Sequence, residues 1–460
     1  MTPVPHRMPG EMFDAVAAGG GGAGALRLLA RAEHSRRLAC AYAVTLTARA
    51  AGGVVAERTA RAWELLTAAN REAPSATAAT LTHPSTGPAL FGLLARLMRE
   101  DGPDEPPVRW FTALAASAAV RAGLPGEVEW PVDGPWVALP SLGRAHFPGA
   151  APDDLARVRI DTDGRALITL TDRPDGIRGF RADGPVRIPP PGEAYGTTGP
   201  WQGAHLLTDL GEGTPLLLDV MDRPYFPNAA PHPESLGPDE VRYWTAVARE
   251  ACALLRTDHP EVYEELAAGP RLLVPLVNRG RGQASGSSAE AFGCVALSRP
   301  ENATQFAATL AHEMQHNKLA ALLHLFDLLE PDGSERFYAP WRPDPRPLLG
   351  LLHGAYAHLG VARFWNRRRE TEPAPGPRGA AHVQFARWSL AAHEATLVIL
   401  ASDRLTGLGR RFAEQMLTTL DGLCRLPVPA PALHRARSAA LAHRTAWHDR
   451  NGGVGRVLPV

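Results

Sequence analysis

The chain of 460 residues has a single lysine, Lys318, and only four cysteines, Cys40, Cys252, Cys294 and Cys424. The cysteines are far apart and form no CxxC pair. That argues against a disulfide framework or a cysteine-built zinc site and suits a reducing cytoplasm. An excess of one charge sign is also missing: Lys plus Arg number 48, Asp plus Glu number 48, and the formal net charge is +0. A neutral chain gives no electrostatic reason to expect a nucleic-acid or anionic-membrane partner. No apolar run approaches the roughly 18 residues that span a bilayer. The N-terminus, MTPVPHRMPGEMFDAV, lacks the basic stretch followed by an apolar core that a secretory signal needs. The expected setting is therefore the cytoplasm, with no nucleic acid and no membrane as partners. Since nearly all the positive charge is arginine and Ala, Gly and Pro abound, the composition reads as coding bias from a GC-rich genome. Runs such as Arg367-Arg368-Arg369 then read as solvated helix faces.

The length implies two or three packed units, and the residue patterns change twice. Residues 1–125 read as a helical N-terminal region. Gly24–Ala50 has helical spacing of apolar residues, and Leu90–Ala122 reads as helix with a break at Gly102–Pro107. The Gly19–Gly22 run lacks the preceding strand that a phosphate-binding turn requires, so it reads as a flexible approach to the helix. Residues 126–235 read as a β-rich unit. Short alternating runs (WVALP, ARVRI, RALITLTDRP, PVRIP, TPLLLDVMD) are punctuated by turn formers, and Asp161-Thr162-Asp163-Gly164 signals a hairpin. Residues 236–460 read as a helical metal-binding catalytic domain. Helices are expected over Glu240–Leu266 with a break near Pro260, Ala303–Leu329, Leu348–Glu370, His382–Ala401, Gly409–Leu420 and Ala432–His448. Strands are expected at Arg271–Val277 and Ala291–Leu297, with a Gly/Ser loop (RGRGQASGSS) between them. The fold class expected is α+β, mainly helical, with the helix after Pro300 paired to the helix that follows it.

That helix carries His312-Glu313-Met314-Gln315-His316. Residues four apart lie one turn up the same helical face, so His312 and His316 can bind one metal ion without strain. Glu313 sits about 100° around the helix and can reach a metal-bound water. A metal needs a further protein ligand. Leu319 and Leu322 occupy the glycine and histidine places of the extended peptidase motif, which argues against that branch. The downstream candidates are His324, His353, His358, Glu330, Glu335 and Glu394. His324 lies about 12 Å further along the same helix and is too far to share the ion. His353 and His358 are five residues apart, hence about 140° around their helix, so at most one is expected to face the site. His353 is favoured, because Gly350 and Gly354 beside it permit close approach of two helices.

The stretch Trp341-Arg342-Pro343-Asp344-Pro345-Arg346-Pro347 is stiffened by its prolines. It presents Arg346 about two helical turns before His353. A fixed guanidinium beside a metal suits bidentate recognition of a carboxylate. Pairing of Arg346 with Asp344 or with a helix end is the alternative.

HEMQH, then FYAPWRPDPRPLLGLLHGAYAH (Phe337–His358), then RLTGLGRRF (Arg404–Phe412) resemble the HExxH-motif proteins of peptide natural-product clusters, the α-ketoglutarate-dependent HExxH-type peptide β-hydroxylases. The N-terminal AAGGGGAGALRLLARAEHSRRL is similar as well, and the likeness is weakest over 125–235. The resemblance implies hydroxylation of a β-carbon in a ribosomal precursor peptide. It implies Fe(II) and 2-oxoglutarate as cofactors, O₂ as co-substrate, His312, His316 and His353 as iron ligands, and Arg346 as cosubstrate anchor. A third histidine departs from the usual two-His-one-carboxylate set of non-haem iron oxygenases, unless Glu313 or Glu335 supplies the carboxylate. Six-coordinate iron with three protein ligands leaves two positions for a chelating keto acid and one for O₂. A zinc peptidase would instead use Glu313 as general base and has no evident need of Arg346. The alternatives are thus a zinc metallopeptidase and a catalytically silent peptide-binding partner. Ala291–Leu297 is the expected edge strand for an extended peptide, with the Gly/Ser loop as its flap.

Overall fold

A computed structural model describes residues 5–99, 105–152, 154–171, 184–221, 236–277, 283–331 and 333–452. The break expected at Gly102–Pro107 and the first part of the Gly/Ser loop fall largely outside the described residues. The fold is α+β and mainly helical. No helix among the described residues is long and apolar enough to cross a membrane.

Six helices come first: α1 (Gly10–Ala17), α2 (Gly22–Ala51), α3 (Gly53–Glu72), α4 (Pro74–Thr82), α5 (Thr86–Leu97) and α6 (Glu105–Ala122). Strands β1 (Gly126–Pro131), β4 (Leu155–Ile160), β5 (Ala166–Thr171) and β6 (Val186–Ile188) form one sheet in that order. Between them in the chain lie β2 (Trp136–Leu139) and β3 (Gly143–His146), which join β8 (Trp201–Gln202) and β7 (Thr197–Thr198) in a second sheet. The β4–β5 hairpin turns where the DTDG signal stands. Asp161 Oδ1 accepts from the Asp163 and Arg165 amides, and Gly164 takes a left-handed φ of 76° that favours glycine.

A third, five-stranded sheet has the order β12-β13-β11-β10-β9, built from β9 (His205–Asp209), β10 (Pro215–Leu218), β11 (Leu272–Leu276), β12 (Ser285–Gly286) and β13 (Cys294–Ser298). Its three inner strands are parallel, and β9 and β12 run antiparallel at the edges. The remaining helices are α7 (Pro238–Asp258), α8 (Pro260–Ala268), α9 (Ala303–Leu323), α10 (Leu348–Thr371), α11 (Pro375–Leu400), α12 (Gly407–Cys424) and α13 (Ala430–Asn451). The break expected near Pro260 is there: α7 ends at Asp258 and Pro260 opens α8, because proline is tolerated in a first turn and not inside.

The packing crosses the expected boundaries at 125 and 235 in two places. Phe13, Val16, Leu26 and Leu29 of α1 and α2 belong to the same core as α9 and α10, and Leu207, Leu216 and Leu218 of the third sheet belong there too. The first two sheets instead close a separate core against Ala113, Ala116 and Ala119 of α6. The strand expected at the edge, Ala291–Leu297, is central as β13, flanked by β11 and β12. The edge is β12, which the Gly/Ser loop itself provides. Backbone pairing decided this, and an apolar run is silent about how many neighbours it has.

Candidate metal centre

α9 starts at Asn302, whose side chain accepts from the Gln305 amide and caps the first turn. It is buried nearly all round, as its unbroken run of alanines and leucines requires. The helix therefore delivers the motif into the interior. His312 Nε2 and His316 Nε2 face one another at 3.1 Å. Among the described residues, one group of potential metal-ligating side chains has all its donor atoms within 4.8 Å of one another: His312, Glu313 and His316. The His312 side chain is 22% exposed and Glu313 is 1% exposed, so the imidazole edge reaches solvent while the carboxylate does not.

Burial pulls the His312 pKa down, and it pulls His316 to about 4, with the neighbouring His312 adding to the effect. Both rings are therefore neutral near pH 7 and keep a lone pair for a cation. Two nitrogens each about 2.1 Å from a shared ion lie about 3.0 Å apart at a right angle and about 3.4 Å apart at the tetrahedral angle. The observed 3.1 Å lies within that range. The donor set of imidazoles with a carboxylate in reach fits a first-row divalent metal.

Glu313 is held from the far side. Ser287 Oγ donates to its Oε2 at 2.5 Å, and Asn317 Nδ2 donates to Ser287 Oγ at 3.1 Å and to the Glu313 carbonyl at 3.1 Å. Asn317 Oδ1 in turn accepts from the Gly293 amide at 2.9 Å. Ser287 and Asn317 carry no motif signal. Their part becomes visible only once the Gly/Ser loop is folded against α9.

α10 lies beside α9 and brings two histidines to the seam. The His353 ring stands 5.7 Å from the His316 ring, and the His358 ring 5.0 Å from the His312 ring, centroid to centroid. The expectation that at most one of the pair faces the site is thus corrected. The two side chains straddle the seam, each meeting a different motif histidine one turn apart. Neither belongs to the converging donor group. Burial draws the His353 pKa down to about 3, aided by His316 beside it. His358 is pulled well below its usual range by burial. Its Nδ1–H donates to the Gly354 carbonyl at 2.8 Å, and its ring is sandwiched between Trp341 at 4.4 Å and Trp388 at 4.5 Å. His324 stands apart, bonded to Glu33 at 2.6 Å, and Glu394 pairs with Arg444. Glu330 and Glu335 line a different cavity, of about 290 Å³.

The proline-rich stretch folds back over α10. Arg346 and Phe337 exchange backbone hydrogen bonds at 2.8 and 2.9 Å, which pins the loop. The glycine notches on α10 receive this loop rather than the neighbouring helix. A Cβ on Gly350 would stand 3.1 Å from Arg346 Nε, and one on Gly354 would stand 2.4 Å from the Trp341 ring. The glycine that α9 does approach is Gly360, where a Cβ would lie 2.6 Å from Gln315 Cγ. The Arg346 guanidinium is thereby seated against Gly350, which lies about one turn before His353. Its Nη1 contacts Asp344 Oδ2 at 3.3 Å, while Arg342 holds the other oxygen of Asp344 at 2.9 Å. Comparison with protein-family models finds no match for this chain, and comparison with curated proteins finds none either.

Proposed function

We propose that the chain is a non-haem Fe(II)/2-oxoglutarate-dependent oxygenase that hydroxylates a β-carbon of a ribosomal precursor peptide. The observation that carries this reading is the convergence of the His312 and His316 Nε2 atoms at 3.1 Å, a span over which two imidazoles can share one ion. The resemblance of the HEMQH and WRPDPRP segments supports the choice of cosubstrate. In this reading His312 and His316 hold the metal, and His353 is the third ligand. Arg346 binds the distal carboxylate of 2-oxoglutarate and shares its guanidinium with Asp344. Glu313 is a poor general base here, since its carboxylate already accepts a short hydrogen bond from Ser287. Its role is to orient groups beside the metal. The exposed edge of β12 gives an extended peptide backbone its place to pair. Bound Fe(II) with a chelated 2-oxo acid supplies oxidative decarboxylation coupled to C–H hydroxylation. The balance is one peptide C–H, one O₂ and one 2-oxoglutarate consumed, and one C–OH, one succinate and one CO₂ released. Four free cysteines agree with a reducing cytoplasm as the place of reaction.

The test loads the purified protein with Fe(II) without oxygen, then adds 2-oxoglutarate, air and a precursor peptide encoded beside its gene. The expected result is a peptide gaining one oxygen atom with matching succinate release. Zinc-dependent cleavage of the peptide would overturn the reading in favour of a metallopeptidase. Tight peptide binding with no chemistry under either metal would make the chain a silent binding partner.

A further inference from the structure

A cavity of about 400 Å³ opens away from the motif histidines, where the α4–α5 turn, the β2–β3 turn and the third sheet meet. Three arginines from separate elements line it: Arg37 of α2, Arg121 of α6 and Arg271 just before β11. None forms an ion pair with a described residue. Arg37 is fully buried, and its Nη atoms donate to the carbonyls of Leu81, His83 and Phe292 at 3.1 to 3.2 Å, while its Nε has no partner. Arg121 donates from Nε to Ser141 Oγ at 3.0 Å and from Nη2 to the Ser141 carbonyl at 2.5 Å. Those two bonds hold Ser141 at a φ of 69°, a left-handed conformation rare for a residue with a side chain. No hydrogen bond from the Arg271 guanidinium to a described residue is found, and the Tyr195 phenol lies near both it and Arg121.

Two carboxylates, Glu33 and Asp219, also stand on the lining. Glu33 accepts from or shares a proton with His324 at 2.6 Å and sits 3.6 Å from Arg36, and Asp219 Oδ1 accepts from the Met221 amide at 2.8 Å. The cavity is therefore net positive in a chain whose overall charge is zero. Burial is the main influence pulling all three guanidinium pKa values down, with Arg37 drawn to about 10. Guanidinium groups stay protonated at neutral pH, so three positive charges face two carboxylates there, with Glu33 and Glu290 partly offsetting Arg37.

We propose that this cavity is a binding site for an oxyanion, the carboxylate or phosphate of a small acidic molecule or of an acidic peptide, taken by Arg271 and Arg121 with Tyr195 as a further donor. Planar guanidinium groups with free N–H donors match such anions in geometry as well as charge. One wall also reaches the metal helix: Gly293 lines the cavity and donates to Asn317, which bonds Ser287, which bonds Glu313. An acidic ligand seated there contacts the unit that carries the motif.

The test is calorimetric titration of the full chain with inorganic phosphate, with hexaglutamate and with hexaglutamine. At least one oxyanion probe should bind saturably, weaken as ionic strength rises, and lose about tenfold or more in affinity in Arg271→Gln. The Arg271 guanidinium holds no hydrogen bond or ion pair to a described residue, so this variant should keep the wild-type melting profile. Arg242→Gln, which removes an exposed charge from α7 outside the cavity, should leave binding unchanged. Hexaglutamate binding more than tenfold tighter than phosphate, with hexaglutamine inert, assigns the anion to a peptide. Comparable affinities assign it to a free small anion. Absence of saturable binding by either anionic probe, or equal weakening by both variants, overturns the proposal.

Discussion

Replacing Lys318 by alanine removes the only lysine from a site with 0% exposure, two residues after His316. Its Nζ donates to both oxygens of Glu265 at 2.9 and 3.0 Å and to the Gly20 carbonyl at 2.9 Å. Glu265 is 2% exposed and also accepts from the Gly22 amide at 3.1 Å. Burial pushes the Glu265 pKa up and the Lys318 pKa down, and each is opposed by the other's charge. The pair survives as ions only together. Alanine leaves a desolvated carboxylate beside a Gly20 carbonyl that has lost its donor, at a cost of about 3–5 kcal/mol. With a urea slope of about 2–3 kcal/mol/M, the midpoint falls by about 1–2 M. The chain has more than one core, so hydrogen exchange should accompany the denaturation curve. Protection should fall first at the Gly19–Gly22 turn and along α9. The double change Lys318→Met with Glu265→Leu removes both ions and should recover most of the loss, since an apolar pair has no charge to desolvate. A single-variant cost below about 1 kcal/mol, or a double variant as unstable as the two singles summed, would refute the reasoning.

His316→Ala should abolish Fe(II) loading while circular dichroism keeps its helical signal; retained stoichiometric iron would remove His316 from the ligand set. Arg346→Ala should raise the apparent KM for 2-oxoglutarate about tenfold or more and leave metal content alone, and unchanged cosubstrate kinetics would retire the anchor role. His259, stacked on Phe364 and 7% exposed, is held neutral by burial with a pKa of about 4. An unfolded chain takes up that proton below about pH 6.5. Stability from this residue is therefore full above pH 6.5 and lost on acidification toward pH 4, by about 3 kcal/mol. His259→Phe should flatten the stability profile in that window, and an unchanged slope would show that other groups dominate it. Gly354→Ala places a Cβ 2.4 Å from the Trp341 ring and should cost about 1–3 kcal/mol while shifting tryptophan emission, because the indole must leave its place over His358.

Local patterns were readable wherever one element decides its own form. The helix carrying HEMQH was expected to begin at Ala303 and does, because Asn302 is a capping residue and Pro300 ends what precedes it. Its end was placed at Leu329 but falls at Leu323, since Leu328 and Leu329 leave the helix to meet the chain near Leu405 and Thr406. The spacing of His312 and His316 was enough to bring their nitrogens together, as one helix fixes both. Nothing in the residues announced that β9 and β10 leave the β-rich unit for the third sheet. Nor did anything announce that α1 and the start of α2 pack on the metal helix. Those outcomes depend on pairings across hundreds of residues. Lys318 was noted for its rarity alone, and its salt bridge to Glu265 is an interaction no local pattern encodes.

The two histidines of α10 show where periodicity stops being informative. A separation of about 140° on one helix says that two side chains leave in different directions. It does not say that a single neighbour cannot meet both. α9 presents two rings one turn apart, so a neighbour crossing at the seam can set one side chain on each shoulder, as His353 and His358 are set. The two differ in what holds them. His358 has its tautomer fixed by the Gly354 carbonyl and its plane fixed by Trp341 and Trp388. His353 has His316 beside it and the Arg346 guanidinium against Gly350, about one turn away. A ring clamped between two indoles is held in place, whereas His353 has no indole against its ring among the described residues. This difference in restraint keeps His353 as the third ligand of the proposed centre. It also predicts that His353→Ala lowers iron affinity, whereas His358→Ala acts first on stability, by emptying the stack that locks α10 against α11.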